Sequence, residues 1–162
     1  MTIGERAPDF ALADAAQGAR HDLATALRHG PVVAGFYKSS CEASQIAFPF
    51  LERIYQAYPK DRLSVWGVAQ DSANITRSFS RRRGITFPML IDEDEYATSR
   101  AYDIPATPAI FLIDTEGAVV WQAAGFNKVG MDELSGKIAE LLGVEKADVV
   151  SHTDDTPNSV PG

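Results

Sequence analysis

The chain has 162 residues, 45% of them hydrophobic and 23% charged, and its 15 basic and 22 acidic side chains leave a formal charge of −7. This size and balance suit one soluble globular domain with a trailing segment, large enough to bury a core without staples. The acidic surplus argues against nucleic acid or an anionic membrane as partner, and no apolar run approaches the roughly 20 residues that cross a bilayer.

The opening Met1-Thr2-Ile3-Gly4-Glu5-Arg6 carries no charged-then-apolar leader, so the cytoplasm is the expected compartment. Residues 32–37 form an apolar run too short for a helix and follow Gly30-Pro31, which predicts a buried strand. A helix is expected from about 40 to 57, with Ala47, Phe50 or Leu51, Ile54 and Tyr58 on one face and a kink at Pro49. Residues 63–69 read as a second strand. A helix should then open near Asp71-Ser72 and stop at Gly84, with Arg81-Arg82-Arg83 in its last turn, where cations suit the helix dipole.

Further on, residues 87–91 read as a short strand and Asp94 as the cap of a helix reaching Tyr102. Strands at 109–113 and 118–123 flank a hairpin turn at Asp114-Thr115-Glu116-Gly117. A last amphipathic helix carries Met131, Leu134, Ile138, Leu141 and Leu142 and ends at Gly143. Strands joined by crossover helices imply parallel pairing, and the hairpin adds antiparallel pairing, so the class is α/β with a mixed central sheet flanked by helices. The folded domain is expected over 1–143. Residues 144–162, polar and proline-containing toward Gly162, are expected to be a mobile tail.

The chemistry concentrates at Ser39-Ser40-Cys41-Glu42-Ala43-Ser44, between the first buried strand and the long helix. Ser39 and Glu42 have capping-box spacing, which makes Ser39 the expected N-cap and places Cys41 in the first turn. A thiol there meets unpaired backbone N–H groups and the positive end of the helix dipole, both favouring the thiolate; Lys38 adds to this and Glu42 opposes it. The plainer reading of a lone cysteine is a small buried filler. Elsewhere the ordinary structural readings suffice. Arg77 and Arg81–Arg83 suit a helix end, and Asp92-Glu93-Asp94-Glu95 suit a cap and a solvated helix start. Trp66 and Trp121 suit a core, and the histidines at 21, 29 and 152 are scattered. No metal or cofactor is expected.

Several segments occur in one order over about residues 3–143: Ala7-Pro8-Asp9-Phe10-Ala11-Leu12, then Phe36 to Ser44 with Pro49 in the helix that follows, then Gly84-Ile85-Thr86-Phe87-Pro88. They continue with Tyr102-Asp103-Ile104-Pro105-Ala106-Thr107-Pro108 and Phe111-Leu112-Ile113-Asp114 with Gly117. Together these resemble the redoxin branch of the thioredoxin superfamily, and within it the thiol–disulfide oxidoreductases related to cytochrome-c maturation factors. The resemblance implies a thioredoxin-like fold, Cys41 as nucleophile, and Thr107 before a cis-proline, Pro108, that shapes a substrate groove. Protein or low-molecular-weight disulfides and thiols are the implied partners.

The chain departs from that pattern in four places. Ser44 holds the second cysteine's position, Gly35 that of a buried acid, Ala47 that of a glutamate and Ser40 that of a tryptophan. A serine hydroxyl cannot resolve a mixed disulfide, so either a native monothiol protein uses an outside thiol, or serine has replaced a resolving cysteine by engineering. Thiol–disulfide exchange is the expected activity. A one-cysteine peroxidase is the alternative, weakened because peroxiredoxins carry threonine and proline where Lys38 and Ala34 stand. A binding module without catalysis is the third reading.

Overall fold

A computed structural model describes residues 1–162. The chain opens with a small antiparallel hairpin, β1 (Ala11–Ala13) with β2 (Arg20–Asp22), and a single helical turn, α1 (Leu23–Leu27). Then come β3 (Val32–Tyr37), α2 (Glu42–Ala57), β4 (Ser64–Ala69), α3 (Ala73–Arg83), β5 (Met89–Ile91) and α4 (Glu93–Ala101). The chain continues through β6 (Ala109–Ile113), β7 (Val119–Ala124), β8 (Phe126–Asn127), α5 (Lys128–Leu142) and β9 (Ser159–Val160).

The central sheet has the order β5-β4-β3-β6-β7. Crossovers through α2 and α3 force β3, β4 and β5 parallel, while β6 runs antiparallel to β3 and returns through a tight turn into β7. Every residue of β3 is buried, as a central strand covered on both faces requires. Its alternation splits the core. Val33 and Tyr37 join Phe48, Leu51 and Ile54 of α2 and Leu134 and Ile138 of α5 on one face. Val32, Ala34 and Phe36 join Phe10, Trp66, Tyr102 and Phe111 on the other.

Most helix signals act as read. Ser72 caps α3 by accepting from the Ile75 amide, and Gly84 ends it at φ +68, a left-handed conformation that costs glycine little. Pro49 lies inside α2, which continues through it to Ala57. In the hairpin turn the Asp114 carboxylate accepts from the Glu116 and Ala118 amides at 3.0 and 2.9 Å. One residue of the last helix differs from expectation: Leu141 faces solvent while Met131, Leu134, Ile138 and Leu142 are buried.

On either side of β1, the chain lies along the edges of the sheet. Gly4 N donates to Val119 O and Val119 N to Glu5 O, beside β7; Ala15 N donates to Met89 O, beside β5. Residues 144–162 depart from the expected mobile tail, because they are docked. Val149 is buried, and the Tyr58 hydroxyl, itself donating to Ser135 O, accepts from the Ala147 amide at 3.0 Å. The Arg53 guanidinium donates to Val149 O and forks onto both oxygens of Asp154, all at 2.9 Å, holding that carboxyl at about 2. Buried Val149, the partly buried Val144, Val150 and Val160, and one guanidinium clamp offset what the polar composition of the segment predicts. No helix is long and apolar enough to cross a membrane.

Candidate active site

The C-terminal end of β3 and the N-terminus of α2 meet at Cys41. The residue is the N-cap itself, with extended backbone at φ −85 and ψ 121, so the expected cap at Ser39 is corrected. The reason lies in partners distant in sequence. Ser39 N donates to Asp71 Oδ2 at 2.9 Å, and Gln45 Nε2 donates to Ser39 O at 2.8 Å. Arg83 Nη2 in turn donates to Gln45 Oε1 at 3.1 Å. These contacts fix Ser39 in the preceding turn, closed by Cys41 N donating to Lys38 O, and move the cap two residues on.

The Cys41 thiol is partly exposed and donates to Thr107 O at 3.2 Å. The Thr107–Pro108 peptide bond is cis, and Pro108 is buried directly before β6. No side chain caps α2. Burial pushes the pKa of the thiol up, but the Ser44 amide and hydroxyl, the Thr107 side chain and the Ala43 amide outweigh it, so Cys41 lies below the ordinary cysteine value. Ser44 is fully buried, and its hydroxyl has no other hydrogen-bond partner, which leaves it free for the sulfur.

Two of the sequence departures have a packing account. A Cβ added at Gly35 would stand 3.2 Å from Leu51 Cδ1 and 3.3 Å from Phe48 Cζ, so aromatic and aliphatic carbon fills the space an acid would need. Ala47 is fully buried in the same layer. Lys38, Ser40 and Glu42 face solvent beside the thiol.

The remaining candidates fall elsewhere. Arg77 donates to Ala15 O, His21 pairs with Asp14 at 2.9 Å, and Trp66 and Trp121 are buried. Asp92, rather than Asp94, is the capping acid of α4. No group of three histidine, cysteine or acidic side chains is placed to hold a metal. Asp71 and Arg83 were read only as parts of a helix's start and end, and Gln45 was not singled out, so none of the three was expected at the site. Only Asp71 carried a signal, since it follows β4 at the sheet end where β3 delivers Cys41.

A mixed sheet with a thiol at a strand–helix junction, set against a cis-proline loop, defines a thioredoxin-like protein of the redoxin type. The chain belongs to the AhpC/TSA family, whose profile matches residues 3–122. The thiol–disulfide oxidoreductase ResA of Geobacillus thermodenitrificans is 31% identical over 121 residues, covering 74% of this chain and 67% of that protein. Among solved structures, a proposed thiol:disulfide interchange protein DsbE from Chlorobium tepidum superposes with a TM-score of 0.78 at 26% identity, over 88% of this chain and 99% of that one. A secreted disulfide oxidoreductase of Mycobacterium tuberculosis, homologous to E. coli DsbE, gives 0.67 at 25% identity over 82% of this chain and 96% of its own. The chain thus falls among the thiol–disulfide oxidoreductases of its family.

Proposed function

We propose that the protein exchanges thiols and disulfides through Cys41 alone. The thiolate attacks one sulfur of a partner disulfide; that S–S bond breaks as the new bond to Cys41 Sγ forms, and the departing sulfur leaves as a thiolate that takes a proton from water. The two electrons of the broken bond stay on the departing sulfur, so one disulfide replaces another. Release of the partner needs a second thiol from outside, a small thiol or a protein cysteine, because the Ser44 hydroxyl cannot displace sulfur. Ser44 then serves the thiolate as a hydrogen-bond donor, and Thr107 and Pro108 form the wall that positions the incoming disulfide.

The observation that carries this reading is the half-exposed Cys41 thiol at an uncapped helix start, 3.2 Å from Thr107 O and more acidic than an ordinary cysteine. The test is the reaction with a chromogenic aryl disulfide. The protein should form one mixed disulfide per chain, Cys41→Ala none, and Ser44→Cys should turn over repeatedly with a dithiol reductant. Equal turnover by the parent chain and Ser44→Cys would sink the assignment of position 44.

A further inference from the structure

The segment at the far end of the sequence reaches the same carbonyl that the thiol uses. Ser159 and Val160 pair antiparallel with Phe126 and Asn127, and Lys128 N donates to Asn158 O at 2.9 Å. The strap then crosses Gly125, where an added Cβ would stand 3.0 Å from Val160 O and 3.1 Å from Gly162 N. Gly125 N donates to Pro108 O at 2.8 Å, so one stretch of backbone joins the strap to the proline loop. Gly162 is seated on Thr107: an added Cβ would stand 2.4 Å from Thr107 O and 3.0 Å from Ala106 Cβ. Only a residue without a side chain fits there.

We propose that Ser159–Gly162 is the resident occupant of the peptide groove beside Cys41, and that it must leave before an extended, disulfide-bearing peptide can lie along Thr107 and reach the sulfur. This rests on the reading of Cys41 as the nucleophile. A strand that adds to exposed backbone takes its affinity from main-chain pairing, and the strap already uses that mode. Its anchoring is uneven. Upstream, Val149 is buried and Arg53 grips Asp154, whereas the last residues hold by a two-residue strand pair and a half-buried Val160. Between the two stretches the Thr156 hydroxyl is buried without a partner, a further cost of the docked state. The end of the strap is therefore a low-stability unit on a fixed root, able to lift while the root stays docked.

The experiment uses the full chain with two substitutions that lift the strap by different means. Gly162→Val collides with Thr107 O, and Val160→Asp places a charge in a half-buried apolar site. Two reactions of Cys41 are timed: alkylation by iodoacetamide, which needs no groove, and exchange with a synthetic extended peptide whose single cysteine carries thionitrobenzoate in a mixed disulfide. Both variants should react with the peptide about tenfold faster than the parent, as removing a competing bound state requires, with alkylation unchanged. An unchanged peptide rate in both variants overturns the strap and leaves exchange through Cys41 intact. Equal acceleration of both reactions also overturns it, since the strap would then only limit general access. Alkylation without peptide exchange in every form overturns the proposed function, and the strap with it.

Discussion

Helices α2 and α4 both begin where a parallel strand of the central sheet ends, yet they treat their free amides in opposite ways. At α4 the buried Asp92 carboxylate accepts from the Thr98 and Ser99 amides at 3.2 and 2.8 Å and from the Ser99 hydroxyl at 2.6 Å. At α2 the cap is a cysteine with no side-chain cap bond, and the buried Ser44 hydroxyl that favours its thiolate has no other partner. Asp22, Ser72 and Asn127 satisfy the starts of α1, α3 and α5 in the ordinary way. Four helix starts are thus closed by oxygen, and one holds its donors in reserve for a sulfur anion. Stability and reactivity draw on the same amides, and a given helix start supplies one or the other.

Breaking the closed start should have the largest effect on stability. Asp92→Ala strands two buried amides and a hydroxyl, which should cost about 3 kcal/mol and lower the melting temperature by about 10 °C. Cys41 alkylation should keep its rate, because the two starts are independent. Closing the open start is the converse. Cys41→Asp should cap α2, add about 1 kcal/mol and raise the melting temperature by about 3 °C, while all disulfide exchange disappears. A calorimetric scan of the two variants beside the parent reads both signs.

The smallest effect tests the reserve itself. Ser44→Ala removes the hydroxyl that favours the thiolate, so the midpoint of Cys41 alkylation against pH should rise toward that of the unfolded chain, slowing the reaction a few-fold at neutral pH. The melting temperature should hold, since that hydroxyl has no other partner to lose. In the parent, the lowered folded value means the thiolate contributes stability above the unfolded midpoint, and the contribution is lost as pH falls through the folded one. A Ser44→Ala profile that superposes on the parent would remove Ser44 from the account.

Much of this was legible in the chain. The apolar runs at 32–37 and 109–113 could only be buried strands, and Ser72 and Gly84 bracket α3 by local chemistry alone. The site was legible as a place, because a thiol between a strand and a helix has few other uses. Its cap was not, since Asp71 and Gln45 reach Ser39 through folding and leave no spacing in the sequence. Asp94 looked like the cap of α4 for a similar reason. Asp94, Glu95 and Tyr96 adopt left-handed backbone, so the regular helix starts later and its amides fall to Asp92. The docked end hid for the opposite reason: polar composition predicts solvation, and one guanidinium with a few valines was enough to reverse it.

The first sixteen residues lie against both outer strands of the sheet, meeting β7 through Gly4 and Glu5 and β5 through Ala15. Unpaired strand edges are where separate copies of a chain join into aggregates. Here one short segment shields both flanks of a sheet whose last strand follows about a hundred residues further along the chain. Until β7 has formed, the shield has only one flank to cover, and the unfinished chain is open to association on the other. The residues that place Ala7, Phe10 and Ala15 in the core are therefore also guardians of solubility, and loosening their edge contacts would show first in concentrated solution rather than in the chemistry of the thiol.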